Sequence, residues 1–419
     1  MGKHLMFGGV DVVELAERFG TPLYVTDEQR LRENFRRFKN AFSSVDSEIY
    51  YAVKANGNLA VLRILAQEGA GADVFSGGEL YLARLAGIPA SKILFNGNSK
   101  SDEELELAVL SGVCVSVDSF DELYALSEIA KRLGRDVEIA FRVNPDISPE
   151  THPKIATGLR ESKFGIPYEE VLDAYKEAKQ LEIEGGIRVC GIHCHIGSQI
   201  LDVSVFKEAT EKMMALVESL NEHGIELEFV DLGGGLGIPY KKDEPAPTPE
   251  DLAAQILPAF KGAKLKRRPK LILEPGRYIV GNTTILITRV NAVKRAAKHF
   301  VAVDAGFNLL IRPVLYDAYH EVAVANKIDE PPAGTYTIVG PICESGDILA
   351  KDRRLPKVER GDIIAIFDAG AYGFAMSSQY NGRPRCAEIL VNNGEAEVIR
   401  RRETYDDLLK NQVVPPRLL

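Results

Sequence analysis

The run IYYAVK, residues 49–54, is apolar and β-branched or aromatic up to its last position, where it ends on a lysine. A short apolar run bounded by turn residues reads as a buried strand. Seven more follow, at 72–76, 93–98, 113–118, 138–144, 189–197, 229–235 and 271–276. Most gaps between them hold apolar residues at helical spacing, as at Leu80, Ala83 and Leu85, or at Leu172, Tyr175, Ala178 and Leu181. Strand alternating with helix predicts a parallel sheet, and eight such units close into a (β/α)8 TIM-type barrel. An open doubly wound sheet of this size would show a glycine-rich dinucleotide fingerprint near its start, and the sequence has none there. Ahead of the first strand, Leu31, Phe35, Phe38 and Phe42 predict a helix that closes the barrel's bottom.

After Gly281 the texture changes to β-rich runs at 284–293, 300–304, 322–325, 336–339, 363–368 and 389–391, with turns marked by PPAGT, ERGD and NNGE. This predicts an all-β domain, to which residues 22–25 add a strand. The expected division is a barrel over 27–279 and a β domain over 280–419, with 1–26 packing on the latter.

Composition narrows the function. The chain has 419 residues, a length that suits a large barrel plus a second domain. No stretch of about 18 uninterrupted apolar residues exists to span a bilayer. The N-terminus lacks the continuous apolar core of a secretory signal, and Met6 stands where a myristoylation signal needs Ser or Thr, so a cytoplasmic location is expected. Five scattered cysteines without a CxxC pair suggest neither a disulfide framework nor a zinc knuckle. A net charge of −9 argues against nucleic acid, and the basic tract 264–270 reads as a solvated loop.

The active site of a barrel lies at the C-terminal ends of its strands. There the sequence places Lys54, Asp73 and Ser76, Arg142 and Asn144, His195 and Ser198, the triplet Gly233, Gly234 and Gly235, and the turn Glu274, Pro275, Gly276 and Arg277. An ordinary lysine is solvated; one at the end of an apolar strand in a barrel mouth is desolvated and available for imine chemistry. Glycine loops after strands seven and eight stand where such barrels build phosphate sites, although an isolated glycine triplet reads equally well as a flexible turn. Glu274 repels phosphate and must face something else. If the phosphate belongs to pyridoxal 5'-phosphate (PLP), a carboxylate across the molecule keeps the ring nitrogen protonated and the ring an electron sink. His195 could then lie flat against that ring. The alternatives are a core histidine, or a metal ligand together with His193 on the same strand face, though no third ligand of suitable spacing accompanies the two. No metal is expected.

With these motifs the chain resembles the diaminopimelate decarboxylases, within the alanine-racemase-like, fold-type-III PLP enzymes. The resemblance runs almost end to end, through YYAVKAN (50–56), GADVFSGGEL (71–80), TGLRESKFGI (157–166), GIHCHIGSQ (191–199), DLGGGLGIPY (231–240), EPGRYIV (274–280), RPVLYDAYH (312–320), GPICESGD (340–347) and GAYGFAMSSQYNGRPR (370–385). It implies that Lys54 forms the imine with PLP, that His195 stacks on the ring and that Glu274 pairs with its nitrogen. It further implies that Ser198, Gly234, Gly235, Gly276 and Arg277 contact the phosphate, with Asp73 and Pro275 beside the cofactor. Tyr372 resembles the family tyrosine that reaches cofactor and substrate, and Cys343 the proton donor. The resemblance also implies a homodimer in which Cys343 and Glu344 are supplied across the interface.

The implied reaction is decarboxylation of meso-diaminopimelate to L-lysine and carbon dioxide, the last step of lysine biosynthesis. The substrate carries a second carboxylate and ammonium remote from the reacting centre. Arg312 with Tyr316 suits that carboxylate, Glu344 suits the ammonium, and Arg277 and Tyr372 complete the expected substrate contacts. Taken singly, Arg312 could be a surface arginine, Tyr316 a core tyrosine and Cys343 a small buried hydrophobe. A racemase of the same fold is expected to place an arginine at the pyridine nitrogen, where this chain has Glu274. A non-catalytic PLP carrier would not need the β domain. Arginine, ornithine and carboxynorspermidine decarboxylases are the alternatives within the same chemistry.

Overall fold

The computed structural model describes residues 3–147, 149, 151–155, 157–158 and 161–418, so Leu159 and Arg160 of the stretch 157–166 lie outside the described residues. Two compact units emerge. One comprises residues 32–239 and 245–279; the other comprises 1–31, 240–244 and 280–419.

Strand β1 (Leu23–Asp27), which follows a two-residue pairing of Met6–Phe7 with Val10–Asp11, belongs to the second unit. The first unit is built on β2 (Ser47–Ala52), β3 (Gly71–Val74), β4 (Ile93–Phe95), β5 (Cys114–Val117), β6 (Val137–Asn144), β7 (Ile187–Cys194), β8 (Phe229–Asp231) and β9 (Lys270–Leu273). Each pairs in parallel with the next, and β9 returns to β2 through Leu271↔Ser47, Ile272↔Glu48 and Leu273↔Ile49, so the ring of eight is closed. The expected barrel is present. Both faces of these strands are covered, which is why they read as apolar runs rather than as alternating ones.

Helices follow the strands at Leu59–Gln67, Gly77–Leu85, Asp102–Ser111, Phe120–Leu133, Val171–Glu184, Ser204–Glu222 and Pro249–Gly262. Their starts are written locally. Ser76, Ser101, Ser119 and Thr248 cap four of them through side-chain oxygens, and Pro249 occupies a first-turn position that needs no N–H. Gly112 and Gly134 end two of the same four in the left-handed conformation.

The helix Glu28–Ala41 differs from expectation in its place. Leu31, Phe35, Phe38 and Phe42 are buried, as their spacing requires. Yet Arg32 and Arg36 pair with Glu68, beside the helix that follows β2, while Arg37 pairs with Glu250 in the helix that follows β8. Asn34 also donates to the carbonyls of Tyr278 and Ile279. The helix therefore occupies the outer ring, where the one-turn segment Arg277–Val280 after β9 leaves a gap, rather than the bottom of the barrel.

In the β-rich unit, β10 (Thr284–Arg295) and β11 (His299–Val303) form a hairpin, followed by β12 (Val322–Val324), β13 (Gly334–Val339), β14 (Ile348–Leu355), β15 (Ile363–Ile366), β16 (Ala387–Asn392) and β17 (Glu395–Arg400). The main path runs β14-β13-β11-β10-β1-β16-β17, and β15 joins β10 to β12. Thus β1 is a central strand, antiparallel to β10 and parallel to β16. Its residues alternate between two cores. Leu23 and Val25 join Ile285, Ile287 and Leu15 on one side; Tyr24 joins Leu286, Val301 and Ile338 on the other. Each such aliphatic side chain contributes about 1.5–3 kcal/mol by leaving water.

Candidate active site

The strand ends of the barrel converge as expected, with one local difference. Lys54 is not on β2, which stops at Ala52, but on the single 3-10 turn Val53–Ala55. Val53 and Ala55 are buried, and the Tyr51 hydroxyl donates to Asn56 O at 3.0 Å, so the turn is anchored on both sides of the lysine. Lys54 Nζ lies 2.5 Å from Asp73 Oδ2, and its side chain is about one-third exposed. A buried carboxylate on the neighbouring strand thus holds the amine.

From Asp73 a chain of polar contacts crosses the barrel. Asn96 Nδ2 donates to Asp73 Oδ1 and to Glu274 Oε1, each at 2.7 Å. Glu274 Oε2 lies 3.3 Å from His193 Nε2, and His193 Nδ1 lies 2.9 Å from Ser116 Oγ. All these side chains except Lys54 are buried. Burial pulls Glu274 upward, but His193 and Lys54 outweigh it and hold the carboxyl at about 2, so Glu274 is ionised. Burial and the Glu274 charge push Asp73 up against the pull of Lys54. Asn96, Ser116 and Asp231 were not singled out from the sequence. Asn96 lies just after β4 and Ser116 on β5.

His195 follows β7 and is held by the glycine loop: Gly234 N donates to its Nδ1 at 3.2 Å. Burial, reinforced by Lys54 and Arg142, lowers its pKa well below the usual imidazole range, so the ring is neutral. The metal alternative changes partners. His193, Asp231 and Glu274 offer ligand atoms within 4.8 Å of one another, so carboxylates from two other strands approach His193 where sequence spacing offered no third ligand.

The glycine triplet is more than a flexible turn. A Cβ on Gly234 would stand 2.0 Å from Glu274 O, one on Gly233 2.5 Å from Cys194 O, and one on Gly235 2.5 Å from Gly197 O, the last two at φ +70° and +120°. Glycine lets this loop press against the strand ends that carry His195 and Glu274. Gly276 likewise packs against Ala52 and Ala55, beneath Lys54. Arg277 is buried, and one of its guanidinium nitrogens donates to Ser198 Oγ at 3.0 Å. Amine, ionised acid, and a guanidinium–hydroxyl pair beside glycine loops suit the aldehyde, ring nitrogen and phosphate of PLP respectively. The donor set fits that cofactor.

In the β-rich unit, Arg312 and Tyr316 share the one-turn helix Arg312–Tyr316. Arg312 is a buried arginine, not a surface one. Its guanidinium lies 4.4 Å from the Tyr240 ring centroid and 2.9 Å from His320 Nε2, whose Nδ1 in turn lies 2.8 Å from Phe367 O. Cys343 is the exposed thiol of the chain, not a buried hydrophobe. Its N–H donates to Asn381 Oδ1 at 2.9 Å, and Asn381 Nδ2 donates to its Sγ at 3.2 Å. The Tyr380 hydroxyl donates to Glu344 at 2.8 Å and lies 3.7 Å from the same sulfur. Tyr372 has φ +57°, a conformation costly for an aromatic residue.

Comparison with known proteins adds the chemistry. Residues 28–281 match the family described as pyridoxal-dependent decarboxylase, pyridoxal binding domain. A diaminopimelate decarboxylase of Archaeoglobus fulgidus is 61% identical over 413 residues, covering 98% of this chain and 97% of the relative. The crystal structure of diaminopimelate decarboxylase from Methanocaldococcus jannaschii superposes with a TM-score of 0.94 at 45% identity, covering 100% of this chain and 98% of that one. A second structure of that enzyme, in complex with L-lysine, also gives a TM-score of 0.94 at 45% identity, covering 99% and 97%. The cofactor is pyridoxal 5'-phosphate. The chain belongs to the diaminopimelate decarboxylase family of pyridoxal-dependent decarboxylases.

Proposed function

We propose that the protein decarboxylates meso-2,6-diaminopimelate to L-lysine and carbon dioxide, completing lysine biosynthesis, with Lys54 and Glu274 at opposite ends of the cofactor. The observation that carries this reading is the unbroken contact chain Lys54–Asp73–Asn96–Glu274, which brings a carboxylate-held amine and an ionised acid into one barrel mouth. When bound, PLP supplies an electron sink for the pair of electrons left by the departing carboxylate.

The chain's own residues do the rest. Lys54 would hold the cofactor, and Asp73, in contact with its Nζ, would accept the amine's proton and return it. Glu274, kept ionised, holds a proton on the ring nitrogen. Arg277 and Ser198 bind the phosphate together with the backbone of Gly234, Gly235 and Gly276, and Pro275 shapes that turn. His195, neutral, lies against the ring without adding charge to it. Arg312 offers a fork to the distal carboxylate, with Tyr316 one turn on; Glu344 suits the distal ammonium, and Tyr372 the substrate and cofactor. Cys343 donates the proton that replaces carbon dioxide, its sulfur oriented by Asn381. Cys343 and Glu344 act, in this reading, on the active site of a second copy of the chain in a cytoplasmic homodimer.

The test is an assay of purified protein with PLP and meso-diaminopimelate, following lysine and carbon dioxide together. Equimolar formation of both supports the reading. Carbon dioxide from ornithine or arginine in preference to diaminopimelate would replace the substrate, and racemisation without carbon dioxide would replace the reaction.

A further inference from the structure

Asp231 ends β8, is fully buried and has the Glu274 carboxylate as a side-chain neighbour. Its Oδ1 accepts the Gly233 N–H at 2.8 Å. Its Oδ2 is enclosed and has no hydrogen-bond partner among the described residues. Carboxylate oxygens of Asp231 and Glu274 and a ring nitrogen of His193 lie within 4.8 Å of one another.

The charged and titratable groups around Glu274 are Lys54, Asp73, Arg142, His193, Cys194, His195 and Asp231. Lys54 is engaged by Asp73, and His193 turns its Nε2 to Glu274. Glu274 thus has Asn96 and His193 to stabilise its charge, whereas Asp231 has one backbone N–H. Two ionised carboxylates this close in an enclosed pocket repel, and the less solvated one keeps its proton. Burial first, and the Glu274 charge second, push Asp231 well above the usual carboxyl range. A proton on Oδ2 also converts an acceptor with nothing to accept into a donor facing Glu274.

We propose that Asp231 is a neutral carboxylic acid whose Oδ2–H donates to Glu274, making it the positioning residue that fixes the ionised acid opposite the cofactor ring nitrogen. This rests on the reading of Glu274 given above. It makes an unusual demand: asparagine, which can accept from Gly233 and donate to Glu274, should replace Asp231 better than any residue lacking a donor.

The experiment compares wild type, Asp231→Asn and Asp231→Leu as holoenzymes. Infrared difference spectra at pH 8 between wild type and Asp231→Asn should show the deuterium-sensitive carbonyl stretch of one protonated carboxyl, lost in the variant. Asp231→Asn should bind PLP at least about tenfold more tightly than Asp231→Leu, because only the latter leaves a buried charge without its donor. Absence of the band, equal damage in both variants, or one tightly bound metal ion per chain by elemental analysis would each overturn the proposal. Glu274→Gln separates the two claims: if it leaves the cofactor absorbance and its pH dependence unchanged, the ring-nitrogen reading fails while the Asp231 band still reports on the proton.

Discussion

Lys54 and Glu274 are the two ends of one hydrogen-bonded chain, linked through Asp73 and Asn96 by contacts of 2.5, 2.7 and 2.7 Å. The amine comes from the turn after the first barrel strand and the acid from the end of the eighth, strands that are neighbours only because the barrel closes. Ring closure therefore makes the site.

Asn96 is the weak link by design of its chemistry, since a single amide nitrogen serves two buried carboxyls. Asn96→Leu should leave Asp73 and Glu274 without that donor and lower stability by roughly 1–3 kcal/mol. Thermal unfolding of the apoprotein checks this, and PLP affinity should fall with it. A variant as stable as wild type would show that the bridge contributes little.

Gly234→Ala should be severe, because its Cβ would stand 2.0 Å from Glu274 O. Relieving such a clash moves the loop and costs about 1–3 kcal/mol or more, with PLP affinity falling in parallel. Gly112→Ala is the control: its φ is +64° and a Cβ there meets nothing within 4 Å. It should cost about 1 kcal/mol and leave PLP binding untouched. Equal effects on cofactor affinity would contradict the role given to the loop.

Arg312→Ala should raise KM for diaminopimelate by about tenfold or more while leaving PLP affinity unchanged. Arg312→Lys should recover little, because a single ammonium cannot reproduce the fork that meets both His320 and a carboxylate. An unchanged KM would remove Arg312 from the substrate site and leave it a structural partner of His320 and Tyr240.

Glu79 predicts a pH dependence. Burial, with help from the Asp73 charge, raises its carboxyl to about 7 against the pull of the Phe75 N–H. Between about pH 4.5 and 7 the folded chain keeps a proton that the unfolded chain has lost, so this group's contribution is full below that window and disappears as the pH rises through it. Glu79→Gln should therefore match wild type near pH 5 and exceed it by about 3 kcal/mol at pH 8, read from denaturant unfolding. A difference that stays constant with pH would show that Glu79 titrates normally.

The sequence was legible where a residue's chemistry and its place in the pattern coincide. All eight barrel strands were marked by apolar runs because parallel strands are covered on both faces, and Lys54, His195, Glu274 and Arg277 were visible because polar groups interrupt those runs at their ends. In the second sheet the apolar runs do not mark β14 and β17, which stand at the two ends of its main path. Their sequences, ILAKDRRL and EAEVIR, carry the charges that keep an exposed edge from pairing with another chain, and those charges hide the strand pattern. Asn96 and Asp231 were missed for the opposite reason. Each looks like a turn residue after an apolar run, and only the closed barrel brings them to Glu274.

The helix Glu28–Ala41 teaches the same lesson about position. Its spacing announced a buried face but not which gap it fills; Arg32, Arg36 and Arg37, which read as ordinary surface charge, turn out to name the neighbours on either side.

The central claim is that Lys54 grips the cofactor at its aldehyde end. Borohydride reduction of the holoenzyme, followed by proteolysis and mass-spectrometric mapping, tests it most directly. The account predicts a phosphopyridoxyl group on the peptide containing Lys54 and on no other lysine. Label on a different lysine, or a holoenzyme from which reduction fixes no cofactor, would contradict it.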